Sequence, residues 1–207
     1  MELVRIESVG PPFNRAPGAD AVAHDLLIRL ETMGLLPDGV GGPTRLDSAL
    51  LKRLAEKLRQ AGVAAAHADR LESARGKALT QALEDALAAV EASPYPAGEW
   101  EPARELLGDD LLAILVGGIS ASSLRRYASG VRETPDDVAW RLHVLARILS
   151  ALRGSYNTYG IRRWFERPRA QLGGATPGTR LLDAKTEDEA QVVVNLADAL
   201  MRPGFAT

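Results

Sequence analysis

The chain contains no cysteine, and this one absence removes several kinds of chemistry. No disulfide framework, thiolate zinc site, iron–sulfur cluster or cysteine nucleophile is open to it. Aromatic residues are scarce at 5%, so a core has to be built from Leu, Val, Ile and Ala. Long hydrophobic runs are missing too. The longest, Leu111 to Val116, falls far short of the roughly 18 residues of a membrane span. The N-terminus, Met1-Glu2-Leu3-Val4-Arg5, has neither the basic stretch nor the apolar segment of a secretory leader. Neither sign of charge is in excess: 25 Lys and Arg stand against 27 Asp and Glu, a formal −2. The chain as a whole is no polycation, so any nucleic-acid or membrane surface must be local. The expectation is a soluble cytoplasmic protein.

What is present fits a folded protein. Over 207 residues the chain is 46% hydrophobic and 25% charged, which excludes a wholly disordered or collagen-like polymer. The length suits one ordinary domain or two small ones. Residues 1–19 read as a flexible, irregular arm, because Gly10-Pro11-Pro12 and Ala16-Pro17-Gly18 break any period. A helix is expected from Asp20 to Met33, with Val22, Leu26, Leu27 and Leu30 on one face. Thr44 with Asp47 reads as a capping box ahead of Leu46, Leu50, Leu54 and Leu58. Gly62 marks a break. A second run sets Leu79, Leu83, Leu87 and Val90 beside an alanine stripe, with 12 alanines between positions 61 and 92. Small residues at helical spacing make a close-packing face. That face suits either a dimerisation hairpin or an intramolecular helical subdomain, so residues 20–95 are taken as a helical region. Ser93-Pro94-Tyr95-Pro96-Ala97-Gly98 forms the clearest boundary.

The second half carries a helix, a glycine turn and a short polar helix. Asp109–Val116 leads into Gly117-Gly118-Ile119, followed by a helix from about Ser120 to Ser129 and a stop at Gly130. This is the order of a helix-turn-helix. Counted from Gly118, the inward apolar positions fall on Ile119, Leu124 and Tyr127, while Ala113 and Ile114 sit one residue out of register unless Gly117 lengthens the turn. Thr134-Pro135-Asp136-Asp137 signals the start of a longer helix. Its stripe Val138, Leu142, Leu145, Leu149 and Leu152 runs to Gly154. A small helix is expected at Ile161-Arg162-Arg163-Trp164-Phe165. Thr186-x-x-Glu189 then caps a last one with Ala190, Val193, Val194, Ala197 and Leu200 on one side. No segment reads as a strand, so the fold class is all-α. The expected organisation is an N-terminal helical region, a helix-turn-helix domain over 99–154 and a small helical domain over 155–207.

Charge points the same way. From Arg125 to Arg169 there are ten arginines, no lysine and four acids, a net +6 that leaves −8 for the rest of the chain. A basic patch beside a glycine turn is what contact with phosphates requires. The alternative is a solvated face, or pairing with the acidic first half. The candidate DNA-binding residues are Ser120, Ser122, Ser123, Arg125 and Arg126 on the polar helix, with Arg132 just beyond it. Hydroxyls and guanidiniums reach both phosphates and base edges.

From about residue 105 to 206 the sequence resembles the Xre/MbcA/ParS antitoxins, which join an Xre-like helix-turn-helix to a C-terminal toxin-binding domain. The resemblance rests on an ordered set of pieces. They are the basic helix ending Ser129-Gly130, the Thr134-Pro135-Asp136 start through Arg141-Leu142 and Leu145-Ala146, Trp164-Phe165-x-x-Pro168, Leu172-Gly173-Gly174-x-x-Pro177, Leu181-Leu182 and the terminal Gly204-Phe205-Ala206. It implies a chain that binds double-stranded DNA at its own operator and neutralises a RES-type, NAD-degrading toxin. It also implies toxin contacts at Arg162, Arg163 and Trp164 and at Gly204 and Phe205 of the tail. The first 95 residues have no counterpart in the usual short antitoxins, and Gly178 stands where an apolar residue normally follows the proline. The alternatives are a stand-alone helix-turn-helix or nucleoid-associated regulator, dimeric or larger through its N-terminal region, and a helical protein–protein adaptor.

Patterns of catalysis are missing. His24, His67 and His143 lie far apart without metal-ligand spacing, and no G-x-S-x-G elbow occurs. Gly39-Val40-Gly41-Gly42 lacks the Gly-Lys-Ser/Thr of a phosphate loop. His143 reads as a surface or DNA-facing residue of the basic helix. No enzyme, cofactor or metal is expected.

Overall fold

The computed structural model describes residues 4–200. It is an all-α fold, with ten helices and two short strands among the described residues. The chain divides between residues 93 and 94 into two compact units. No helix among the described residues is long and apolar enough to cross a membrane.

The N-terminal unit departs from its sequence reading at the start. Strand β1 (Arg5–Val9) pairs in parallel with β2 (Pro43–Leu46), Arg5 opposite Pro43 and Val9 opposite Leu46. The stretch read as a flexible arm is therefore anchored, with Val4 and Phe13 buried. A parallel pair joins segments distant in sequence, so neither strand has a local hairpin signal to find. The same pairing displaces the expected capping box. Thr44 lies in β2, and Asp47 caps the next helix by accepting the Ala49 and Leu50 amides at 2.9 and 3.0 Å.

Four helices complete this unit: α1 (Ala19–Thr32), α2 (Ser48–Ala61), α3 (Ala68–Ser73) and α4 (Lys77–Glu91). The alanine-rich face of α4 buries Leu79, Ala82, Leu83, Ala86 and Val90, and α4 packs on α1. Alanines at helical spacing let the two backbones approach, and Arg29 of α1 meets Glu91 at 2.6 Å. Ala82 and Ala86 of the stripe are thus spent inside the unit, while Ala78 is exposed. α2 packs on α3 instead.

The C-terminal unit contains α5 (Pro96–Leu115), α6 (Ala121–Ala128), α7 (Asp136–Arg153), α8 (Thr158–Glu166), α9 (Pro177–Asp183) and α10 (Glu187–Asp198). One hydrophobic cluster runs through it, from Trp100 and Leu112 through Leu124, Leu145 and Leu149 to Trp164, Phe165, Leu181, Val193 and Val194. The expected division at 154/155 into two domains is absent. The cause lies in α7, which is apolar on both sides and packs against α5 on one and α10 on the other. Helix α7 begins at Asp136. Thr134 does not cap it, and its hydroxyl accepts the Trp100 indole N–H at 3.0 Å. Thr186 does cap α10, taking the Glu189 amide while Glu189 takes that of Lys185.

Gly108 breaks α5 into two pieces at φ 71° and ψ 158°, a region essentially reserved for glycine. A Cβ there would come within 2.5 Å of the Arg162 Nη1 and 2.8 Å of an Asp110 carboxylate oxygen. Gly108→Ala is expected to destabilise this unit by about 3 kcal/mol, combining backbone strain and a displaced ion pair. Gly118→Ala, at φ 73° with no atom within 4 Å of its Cβ, should cost only about 1 kcal/mol. Urea unfolding followed by tryptophan emission compares the two, since all three tryptophans (Trp100, Trp140, Trp164) lie in this unit. Equal losses would show that the Arg162 side chain gives way freely.

Candidate nucleic-acid interface

The second piece of α5, the glycine turn and α6 follow one another as helix, turn and helix, with α6 packed on α5. Helix α5 ends with the amides of Gly117 and Gly118 both donating to the Ile114 carbonyl, at 3.1 and 2.9 Å, and that of Ile119 to Ala113 at 3.0 Å. Gly117 at φ 112° and Gly118 at φ 73° make this reversal without a Cβ penalty. Two glycines lengthen the turn by one residue, which settles the mismatch before it. Ala113 is buried, while Ile114 is 51% exposed.

Ser120 starts α6 by accepting the Ser123 amide at 3.1 Å. Its hydroxyl is thus a cap first, and it also donates to the Ser123 hydroxyl and lies 3.0 Å from that of Ser122. Leu124 and Tyr127 turn inward, Ile119 packs against the core, and Tyr127 stacks on Trp100 with centroids 6.2 Å apart. Fixing those positions turns Ser122, Arg125, Arg126 and Ser129 outward. Arg132 is exposed as well, its guanidinium 5.4 Å from the Tyr127 ring centre and its amide bonded to the Arg126 carbonyl. Val131 between them is 78% exposed. It escaped the sequence reading because a lone valine in a loop carries no period.

The ten arginines do not form one patch. Arg141 donates to the carbonyls of Leu181 and Ala184 at 2.8 and 2.7 Å, and burial lowers its pKa from the ordinary value. Arg147 reaches Glu187 and Gln191 on α10, and Arg153 is buried at the end of α7. Arg162 bonds Asp110 and the Leu107 carbonyl, and Arg163 pairs with Glu166 at 2.9 Å. Arg169 lies 5.5 Å from the Trp164 ring centre. Arg141, Arg147 and Arg162 tie α7 and α8 to their neighbours, while Arg163 pairs within α8. Of the ten, only Arg125, Arg126, Arg132 and Arg167 are exposed without a carboxylate at ion-pair distance among the described residues. Three of those four lie on α6 or just after it.

Nearby carboxylates have their own partners. The hydrogen bond from Arg104 holds the Asp109 carboxyl below its usual range, and the charges of Arg104 and Arg125 add to the effect. Arg162 does the same for Asp110.

The residues implied as toxin contacts scatter. Arg163 is exposed, Arg162 is tied down, and Trp164 is 1% exposed. Trp164 leaves the contact set, because an indole sealed in a core touches no partner. Gly204 and Phe205 lie outside the described residues. His143 is also corrected. It is fully buried, with Nδ1 2.6 Å from Oε1 of an equally buried Glu99. Among the described residues, no group of three or more His, Cys, Asp or Glu is placed to hold a metal ion. Compared with protein-family models, curated proteins and solved structures, the chain matches none.

Proposed function

We propose that the chain is a DNA-binding antitoxin that acts as a homodimer in the cytoplasm, neutralises a RES-type toxin and represses its own operon. The observation that carries the DNA half is the outward face of α6, where Arg125 and Arg126 are exposed without an ion pair after a two-glycine turn. Arginine bonds guanine at two points, serine hydroxyls reach phosphates or bases, and the Val131 methyls suit a thymine methyl. The toxin half rests on the ordered motifs of the C-terminal unit.

The test of DNA contact is Arg125→Ala with Arg126→Ala, titrated against the DNA upstream of the chain's own reading frame. Affinity should fall about a hundredfold, and the slope of log affinity against log salt should become shallower by about 2. Arg163→Ala, which removes a guanidinium already paired with Glu166, should leave both unchanged. An unaltered affinity and slope in the double variant would overturn the assignment.

A stand-alone regulator is the second reading. It is favoured by one observation: the first 93 residues form a compact unit with a core of their own, which the resemblance does not account for. Co-expression with the product of the adjacent reading frame separates the two. Growth arrest by the neighbour, relieved in a stable complex with this chain, supports the antitoxin. A harmless neighbour that does not co-purify leaves the regulator.

A further inference from the structure

We infer that the N-terminal unit holds a binding site for a small phosphate-bearing molecule, in the cavity formed by Pro11, Pro12, Arg15, Ser48, Arg75 and Gly76. The cavity measures about 360 Å³, at the lower end of the range of small-ligand sites. No carboxylate lines it.

Several other arginines of the unit are paired. Arg29 pairs with Glu91, Arg45 with Asp47, Arg59 with Asp69 and Glu72, and Arg70 with Asp85. Arg15 and Arg75 have no carboxylate at ion-pair distance among the described residues, yet they come from different elements and line the same concavity. Two like charges facing one cavity repel each other until an anion lies between them. A guanidinium also presents the fork of N–H donors that phosphate oxygens accept. Arg75 is held in place, since its Nη1 donates to the carbonyls of Glu72 and Ala74 at 2.9 and 2.7 Å. The Ser48 hydroxyl adds a neutral donor.

A larger groove of the same unit gives the contrast. Its cations Lys52, Arg53, Lys57 and Arg59 share the lining with Asp38, Glu56 and Glu72, so it neutralises itself and selects no anion. Size decides the ligand class. A DNA backbone is read along an extended basic stripe, whereas an open cavity of this volume takes one phosphate group with a small body. The rings of Pro11 and Pro12 provide an apolar wall for that body.

Calorimetric titration of the full chain with inorganic phosphate and with adenosine 5′-monophosphate tests the site. Wild-type chain should bind at least one of them. Tighter binding of the nucleotide identifies an ester ligand, and equal binding identifies the phosphate group alone. Arg15→Gln with Arg75→Gln should weaken binding at least tenfold with unchanged circular dichroism. Arg53→Gln, in the other groove, should leave it within twofold. Ser48→Asp places a carboxylate in the cavity at a helix start, where aspartate is well tolerated, and should abolish binding in a folded chain. The inference is overturned if neither probe binds, or if the Arg15/Arg75 variant binds like wild type. It is also overturned if Arg53→Gln loses as much, or if a short DNA duplex occupies the site in preference to both probes.

Discussion

Glu99→Ala is expected to destabilise the C-terminal unit by about 3–5 kcal/mol, the range for removing one partner of a buried pair. Glu99 lies in the first turn of α5 and His143 in the middle of α7, and both side chains are fully buried with 2.6 Å between Nδ1 and Oε1. The other carboxylate oxygen, Oε2, accepts no hydrogen bond from the described residues. Bringing two polar groups out of water cancels most of what their attraction returns. The pair therefore adds little net stability, yet losing one member removes the contact that offsets the other's burial. That asymmetry makes a sharp test. Glu99→Ala should be severe, and Glu99→Gln milder because the amide oxygen still accepts from Nδ1–H. The matched apolar change Glu99→Leu with His143→Leu should come close to wild type. Urea unfolding followed by tryptophan emission reads all three. A loss below about 1 kcal/mol for Glu99→Ala would mean that the remaining contacts of His143 satisfy it. There is a functional consequence. Trp100, next to Glu99, stacks on Tyr127 beneath α6. Loosening the first turn of α5 should therefore weaken DNA binding in step with stability, unlike the Arg125/Arg126 variant, which should weaken it at constant stability.

The two helices and the glycine turn between them were legible because their information is local. Ile119, Leu124 and Tyr127 follow Gly118 at spacings that only one helical phase can bury, and that phase turns Arg125 and Arg126 outward without further assumption. Thr186 and Glu189 were equally readable, since a reciprocal cap is a three-residue pattern. Thr134 misled because its hydroxyl found a better-placed donor in Trp100, across a distance in sequence that no local pattern records.

Charge was legible as a sum and illegible as a surface. Ten arginines between residues 125 and 169 give the same count whether they point at DNA or at carbonyls. What decides is the tertiary position of their partners: Leu181 and Ala184 for Arg141, Glu187 for Arg147 and Asp110 for Arg162. His143 failed for a related reason. Periodicity separates a wet face from a dry one only on a helix that has both, and α7 is buried almost all round. The strand pair β1–β2 joins segments distant in sequence and leaves no periodic trace in either.

Trp164→Ala should cost about 3–5 kcal/mol as well, the range for truncating a large core aromatic. The ring is 1% exposed and meets Phe165 edge-on, with centroids 5.1 Å apart at 85°. Aromatic pairs in this geometry add stability beyond the area they bury, and the Arg169 guanidinium covers the indole. If Trp164 were instead an anchor for a partner, its loss would spare the fold and abolish the complex. The two roles give opposite results in one experiment: urea unfolding read by the remaining Trp100 and Trp140, beside co-purification with the candidate toxin. A core residue lowers the unfolding midpoint and loses the partner only as far as the unit unfolds. An unchanged midpoint with a lost complex would overturn the core assignment. Arg163→Ala supplies the complementary case. This side chain is exposed on the same helix, and its only recorded ion pair is with Glu166, three residues away, a contact worth a few tenths of a kcal/mol at most. Its midpoint should stay in place, so any partner affinity lost in Arg163→Ala would come from the surface of α8 and not from the core beneath it.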